Sequence, residues 1–458
     1  MVLLLRIISL GSYDLNDTTE ARYAGIAMRM VNHGDYVTSY VEPSLPFLAK
    51  PPLSFWLTAA SFKIFGVNEF AARLPHFLLG IFLAIILYVL FRKLYGFKSS
   101  LILPTIILTT PAFIVMSGFV MTESVLIFFI SIAMLSAWLR LEKNGNKVCS
   151  YMFFISLGFS MLAKGPIGVV MTCIPLAIYL TIYRSWALFF KKFNIFSGAL
   201  ISMLIFLPWY IIEEIKNPGF LEYFIIGEHF GRFLMPGWKG DLYGHAHNEP
   251  IGMIIVYFIL STIPWIFYPI FSFFKSPTSW IRRKPSKDVV FFSCFTLFPI
   301  VFFLLARNII VSYGLYSVVP FSILMFYFFQ KHEPKIVPFT YTIAFCSITL
   351  FSTLALNHFY FIIDNTDKTL IRHALSHSKE EVFYFKKDLK YASRFYSNDR
   401  VKKLEDKIDF KKLPNDVFII INNNIFDNIQ SQSLKNNLKV IICNHKNDRC
   451  LYKYQYKY

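Results

Sequence analysis

The residues able to do chemistry fall in a few polar stretches set between long apolar ones. The first stretch reads Asp17-Thr18-Thr19-Glu20-Ala21-Arg22-Tyr23, and Lys50-Pro51-Pro52-Leu53 follows it. Asp17 and Glu20 are carboxylates, able to position or deprotonate a hydroxyl. Lys50 and Arg22 are cations that can stabilise an anionic leaving group, the arginine through paired hydrogen bonds. Two prolines after Lys50 fix the backbone and pre-organise its position. An ion in hydrocarbon costs about 2.5–3.5 kcal/mol or more, so charges beside apolar segments need a reason. Glu20 and Lys50 each border a segment that can lie along a membrane surface, where a lipid headgroup would be. Together these groups suit transfer of a group away from a lipid phosphate. The cations neutralise the departing phosphate, and a carboxylate serves a neutral hydroxyl acceptor. An ionised phosphate acceptor would need only positioning. Glu69 and Arg73, four residues apart, read instead as a helix ion pair.

A second polar stretch reads Glu228-His229-Phe230-Gly231-Arg232-Phe233, then Trp238-Lys239-Gly240-Asp241 and Gly244-His245-Ala246-His247. Its histidines, aspartate and arginine could bind a metal or a phosphate, or form a polar, aromatic surface loop. No complete zinc spacing is present. Short turns add Met121-Thr122-Glu123, Ala163-Lys164-Gly165-Pro166 and Arg307-Asn308, with Tyr313 just beyond. Lys164 could reach a shared phosphate or snorkel to the interface. Tyr313 could hydrogen-bond a phosphate or sit in an interfacial aromatic belt.

The elements that must position these groups are membrane spans. Of 458 residues, 55% are hydrophobic and only 16% charged, against roughly a quarter charged in soluble domains. Apolar spans read as 72–91, 100–118, 120–139, 150–163, 166–183, 195–212, 251–274, 289–306, 309–329 and 336–363. Met1 to Ser12 is apolar but too short to cross a bilayer alone. The net charge of +18 sits mainly in short loops and the tail, which argues against a nucleic-acid partner. Loops around Arg92, Arg140, Arg184, Arg282 and Lys331 are basic, and alternate with acidic ones. By the positive-inside rule the basic set is cytoplasmic. Residues 14–71, 213–250 and the tail then share the outer side. Glu20 to Val31 and Leu53 to Phe65 read as helices lying at the interface.

From residue 364 the pattern changes. Glu381–Phe385, Asp416–Asn422 and Leu438–Cys443 read as strands, with helices at Lys387–Tyr396 and Ile425–Leu434, suggesting a small α/β domain. The expected division is a membrane domain over 1–363 and an outer domain over 364–458. Cys443 and Cys450 are either a disulfide or two free thiols.

At its polar motifs the sequence resembles the aminoarabinose transferase and protein O-mannosyltransferase superfamily, membrane-embedded C-type glycosyltransferases. The matching residues are Glu20-Ala21-Arg22-Tyr23, Gly34-Asp35, Lys50-Pro51-Pro52, Ala72-Arg73-Leu74-Pro75, Met121-Thr122-Glu123, Ala163-Lys164-Gly165-Pro166 and Glu228-His229 with Arg232-Phe233. They occur in the family's order over residues 14–320. The resemblance implies an α-helical polytopic fold of about 11–13 transmembrane helices in a bacterial inner membrane, with a periplasmic site. It implies inverting transfer from a polyprenyl-phosphate sugar, undecaprenyl phosphate above all, to lipid A or another envelope acceptor. The acidic residues at the catalytic centre would be Glu20, with Asp17 in reserve. Lys50, Arg22, Arg232, Tyr313 and Lys164 would bind the donor phosphate. A divalent metal is a candidate cofactor, with His229, Glu20 and Asp241 as its candidate ligands. Two departures leave the metal and the sugar open: Thr19 stands where the aminoarabinose branch has Asp, and Ala49 where it often has Glu. A protein O-mannosyltransferase is the alternative reading. A flippase or transporter fits less well, since no internal repeat is visible and the charges cluster at one interface.

Overall fold

The computed structural model describes residues 2–244, 249–275, 284–306, 308–331, 348, 366–377, 382–385, 389–404, 417–427, 435–444 and 448–455. Its spans follow the apolar pattern closely. Helices run over Glu69–Tyr95, Thr122–Glu142, Lys147–Lys164, Pro166–Ile182, Ile195–Lys216 and Lys287–Leu304. Among the described residues five helices are each long and apolar enough to cross a membrane, or six if a bent pair counts as one span. That pair, Met253–Thr262 and Phe267–Phe274, turns by 101°. It interrupts the single span expected over 251–274. The span expected over 100–118 is also broken, into Ile102–Thr109 and Pro111–Met116, because Pro111 cannot continue the first helix. The span expected over 309–329 begins as a tight 3₁₀ turn, Val311–Ser317, and continues as the helix Val318–Lys331. The last expected span, 336–363, lies outside the described residues except for position 348.

Thr122–Glu142 is the central helix; its Trp138 packs against Phe91 and Phe292, and Phe153 joins the same core. Ile195–Lys216 lies on the periphery, with Phe196 94% exposed. An apolar rim this open suits a lipid rather than an aqueous surround. At one end of the bundle the basic loops meet. Lys143 pairs with Asp288 at 2.8 Å, and Arg140 donates to the Lys192 carbonyl at 2.7 Å. This gathering of three basic loops agrees with the alternation read from the sequence.

At the other end Glu20–His33 and Leu53–Phe65 form the expected interfacial helices. Gly34, at φ +73°, ends the first by donating to the Met30 carbonyl, a left-handed cap that glycine adopts without strain. Asn68 caps the next helix by accepting from the Ala71 amide at 2.8 Å. The expected Glu69–Arg73 pair is not made. Arg73 reaches Glu20 instead, through Nε at 2.9 Å and Nη2 at 2.8 Å. It also donates to the Leu10, Tyr13 and Asp14 carbonyls. Glu69 pairs with Lys368 of the tail. Both side chains of the Arg73–Glu20 pair are fully buried. A two-pronged partner at the start of the Glu20–His33 helix satisfies more of the guanidinium than Glu69, which is turned to Lys368, would.

The tail carries a five-stranded sheet of β3 (Val382–Phe385), β4 (Val401–Leu404), β5 (Val417–Asn422), β6 (Leu438–Asn444) and β7 (Arg449–Tyr454), in the order β4-β3-β5-β7-β6. A two-stranded ribbon of β1 (Tyr40–Glu42) and β2 (Leu45–Pro46) precedes it in the first loop. β3 is parallel to β4 and β5, while β7 is antiparallel to β5 and β6. The Tyr391–Ser397 helix lies between β3 and β4 in the chain. Cys443 and Cys450 are bridged, as direct partners in the β6–β7 register. The tail docks on the first loop through Arg29 and Asp399, paired at 2.6 Å, and through the Tyr396 hydroxyl, which accepts from the Leu15 amide at 2.8 Å.

The Arg73–Glu20 pair has a testable consequence. Arg73→Leu leaves a buried carboxylate without its counterion, which costs about 3–5 kcal/mol. Fluorescence-detected size exclusion of the variant should show a large loss of folded protein, and a companion Glu20→Gln, Arg73→Leu change should restore part of it.

Candidate functional site

A cavity of about 1440 Å³ lies between the interfacial helices, the outer ends of the spans and the tail. Asp17, Arg22, Lys50, Lys164, Arg232, Asp241 and Tyr313 all line it. Seven expected site residues, spread over nearly 300 positions, are thus brought to one chamber. Glu20 and His229 are not among its lining residues.

One carboxylate organises the cations. Glu228 Oε2 lies 3.1 Å from Lys50 Nζ and 3.2 Å from Arg232 Nη1. Its other oxygen accepts from the Tyr223 hydroxyl at 3.2 Å. Arg232 also pairs with Asp241, yet its buried Nε has no hydrogen-bond acceptor among the described residues. Glu228 is placed by a wide, π-type turn over Glu222–Gly231, a geometry that recurs at functional sites. Lys50 is placed by Pro51 and Pro52, where Pro52 opens the Leu53–Phe65 helix. Burial holds the Lys50 amine below its ordinary value of 10.5, against the pull of Glu228, and the nearby Arg232 and Lys164 charges add to the depression. Burial alone would raise the Glu228 carboxyl, but Lys50 and Arg232 hold it lowered.

A second pair lies alongside. Lys164 Nζ lies 2.7 Å from Glu123 Oε1 and 3.4 Å from the Tyr316 hydroxyl. It also stands 5.1 Å over the Tyr313 ring, a cation–π distance. Ser312 Oγ donates to the same Glu123 oxygen at 3.1 Å. Lys164 therefore points inward and does not snorkel. Gly165 makes this turn possible: its φ is +85°, and a Cβ there would meet the Phe224 ring at 2.5 Å.

Arg22 donates to the Tyr243 carbonyl at 3.0 Å and lies against the Tyr23, Phe47 and Tyr391 rings. It shares the chamber but stands beside the tail. Asp17 accepts from the Ala392 amide at 3.0 Å. Glu20 is held by Arg73 and by the Asn16 and Val120 amides. Burial alone would raise its pKa, but Arg73 keeps it lowered. Asn308 donates to the Arg232 and Met235 carbonyls and so ties down the second loop. Arg307, His245 and His247 lie outside the described residues.

The candidate metal set is not brought together. Glu20 is committed to Arg73 and Asp241 to Arg232. His229 Nδ1 lies 2.8 Å from the Phe224 carbonyl, and burial pushes its pKa down to about 4. No group of three metal-type side chains occurs among the described residues. Among the described residues Glu20, Asp241 and His229 do not form a metal site: the two carboxylates serve as counterions for Arg73 and Arg232, and His229 faces the Phe224 carbonyl. Glu123 and Glu228 lie in motifs that the sequence singled out, without a role assigned to them; Tyr316 was missed, and its only signal was a phenol near the outer end of a span.

Comparison with known proteins accords with this geometry. The family model for dolichyl-phosphate-mannose-protein mannosyltransferases matches residues 1–224. An uncharacterised protein of Aquifex aeolicus is 26% identical, over 78% of this chain and 68% of its own length. The undecaprenyl phosphate-alpha-4-amino-4-deoxy-L-arabinose arabinosyl transferase of Wigglesworthia glossinidia brevipalpis is 27% identical, over 71% of this chain and 56% of its own length. The corresponding enzyme of Photorhabdus laumondii is 26% identical, over 67% and 54%. The chain thus spans little more than half the length of these two arabinosyl transferases. Its fold is similar to that of ArnT from Cupriavidus metallidurans bound to undecaprenyl phosphate. The TM-score is 0.81 and the identity 16%, covering 99% of this chain and 96% of the other.

Gly165→Ala should destabilise the fold by more than about 1 kcal/mol, since the left-handed backbone and the Phe224 ring both oppose a Cβ. Thermal unfolding in detergent checks this, and Gly219→Ala, at φ +91° with open space around it, separates backbone strain from the clash.

Proposed function

We propose that this chain, which belongs to the aminoarabinose transferase and protein O-mannosyltransferase superfamily, is a glycosyltransferase. It moves a sugar from undecaprenyl phosphate to lipid A or another envelope lipid, at the periplasmic face of the bacterial inner membrane. The observation that carries this reading is the Lys50–Glu228–Arg232 cluster at the outer ends of apolar helices, with a buried Arg232 Nε that lacks an acceptor. Buried donors without partners are rare and costly, and an anion arriving in the chamber would satisfy this one. The names of the two arabinosyl transferases support the same donor.

In this reading the donor phosphate lies against Lys50, Arg232 and Tyr313, and Lys164 adds positive charge from the second pair. The acceptor oxygen attacks the anomeric carbon as the carbon–oxygen bond to the phosphate breaks. The electron pair goes to the phosphate oxygen, where the cations stabilise the developing charge. A hydroxyl acceptor would pass its proton to a carboxylate, and Asp17 is the better placed because it lines the chamber. A phosphate acceptor has no proton to lose. Glu20 is a positioning residue that holds the first loop through Arg73. We also propose the division into a membrane domain over 1–363 and a periplasmic domain over 364–458. The tail sheet and its bridged cysteines support it. The mannosyltransferase family match favours the second reading, a protein hydroxyl acceptor.

Lys50→Ala should lower transfer by about 10²–10³-fold, read by mass spectrometry of lipid A from expressing cells and by transfer with purified undecaprenyl-phosphate sugar. Unchanged adducts would remove the donor assignment. Asp17→Asn separates a hydroxyl acceptor, lipid or protein, from a phosphate acceptor. It should cost about 10²–10⁴-fold with a hydroxyl acceptor and little with a phosphate.

Donor binding should also depend on pH. The ammonium form of Lys50 binds phosphate, and burial lowers its pKa, so affinity should fall at a pH below that for an ordinary lysine. Lys50→Arg, which stays charged, should shift that loss to higher pH. Binding of undecaprenyl phosphate measured across pH 7 to 10.5 checks both.

A further inference from the structure

The chamber's charge is uneven. Near the proposed donor phosphate, Lys50, Lys164 and Arg232 face three carboxylates, Glu123, Glu228 and Asp241. These charges cancel. At the tail end, Arg22, Lys390, Arg394 and Lys403 face only Asp17 and Glu42 among the described residues. The positive surplus of the described lining lies there.

The polar groups at this end are also incompletely used. Arg394 pairs with Glu42 at 2.9 Å through Nη2, but its Nε is buried with no acceptor among the described residues. The Arg22 Nε is in the same state. Lys390 and Lys403 have no ion-pair partner among the described residues, and Lys403 is exposed. The elements that hold these side chains are firmly docked. Arg22 lies 5.7 Å over the Tyr391 ring, which ties the first loop to the Tyr391–Ser397 helix. Arg29 and Asp399 fix the end of that helix against the first loop. Guanidinium groups whose buried Nε donors lack an acceptor among the described residues, on a docked wall with excess positive charge, are the composition of an anion site.

Resting on the glycosyltransferase reading, we infer that the tail domain is a substrate-binding element: Lys390, Arg394 and Lys403, with Arg22, bind an anionic group of the acceptor. The acceptor class is an amphiphile with a phosphate in its headgroup. Phosphate is favoured over carboxylate because four cations against two carboxylates leave two positive charges at this end, which a phosphate of charge about −2 matches and a carboxylate does not. The donor's single phosphate is already served at the opposite end. Acceptor choice then resides in the tail, apart from the donor machinery.

The test uses the full-length protein in detergent and measures binding of lipid A, of enzymatically dephosphorylated lipid A, and of undecaprenyl phosphate. Wild type should prefer phosphorylated lipid A by about tenfold, equivalent to about 1.4 kcal/mol. The Lys390→Glu, Lys403→Glu double variant changes accessible side chains and should fold normally. It should lose that preference and raise the acceptor KM about tenfold, while undecaprenyl phosphate binding stays unchanged. A Lys390→Arg, Lys403→Arg variant should restore the preference. Retained preference in the Glu variant, or equal binding of both lipid A forms by wild type, overturns the inference and leaves the donor reading intact. Failure of wild type to bind undecaprenyl phosphate sinks the underlying reading instead.

Discussion

An ion at the edge of hydrocarbon must have a counterion, and this constraint shapes the structure around the chamber. Lys50 and Arg232 share Glu228, Lys164 has Glu123, and Arg73 has Glu20. Each pair joins stretches that are distant in sequence except Arg232–Glu228, which spans one turn. The pairs therefore fix the relative positions of the first loop, the second loop and three span ends. Removing either member of such a pair leaves an uncompensated buried charge, so the network is both scaffold and site. Its carboxylates also hold the cations in place before a ligand arrives.

The division of labour among the carboxylates follows from burial. Glu20 is sealed against Arg73 and two amides, away from the chamber, and holds the loop that carries Asp17 and Arg22. Glu228 and Glu123 line the chamber and set the charge that a phosphate would meet. Asp17 lines it beside the tail. The tail closes the chamber through the Tyr391–Ser397 helix, so the outer domain is part of the site's wall.

Much of this was legible in the sequence. Hydropathy located the spans because a bilayer demands long apolar runs, and the interfacial helices ended where Gly34, Pro52 and Gly66 place them. Motif order drew Lys50, Lys164, Arg232 and Tyr313 towards one site. Pairing was not legible. Spacing proposed Glu69–Arg73 because a sequence shows only local partners, whereas the fold offered Glu20 from another helix. The metal set failed for the same reason: Asp241 and Glu20 had nearer cations to serve. β7 escaped notice because Arg449–Tyr454 mixes buried aromatics with lysine and arginine, and β4 because Val401–Leu404 has only two buried positions. The tail's Lys390 and Lys403 read as general basic charge until the fold set them in one chamber with Arg22.

The central claim is that a lipid phosphate binds where Lys50, Glu228 and Arg232 meet. An electron cryo-microscopy structure of the full chain in lipid nanodiscs with undecaprenyl phosphate tests it most directly. The account predicts a phosphate within about 3 Å of Lys50 Nζ and the Arg232 guanidinium, with the polyprenyl chain leaving between the spans. An ordered phosphate elsewhere on the protein, with the Lys50–Glu228–Arg232 chain unbroken and empty of ligand, would contradict it.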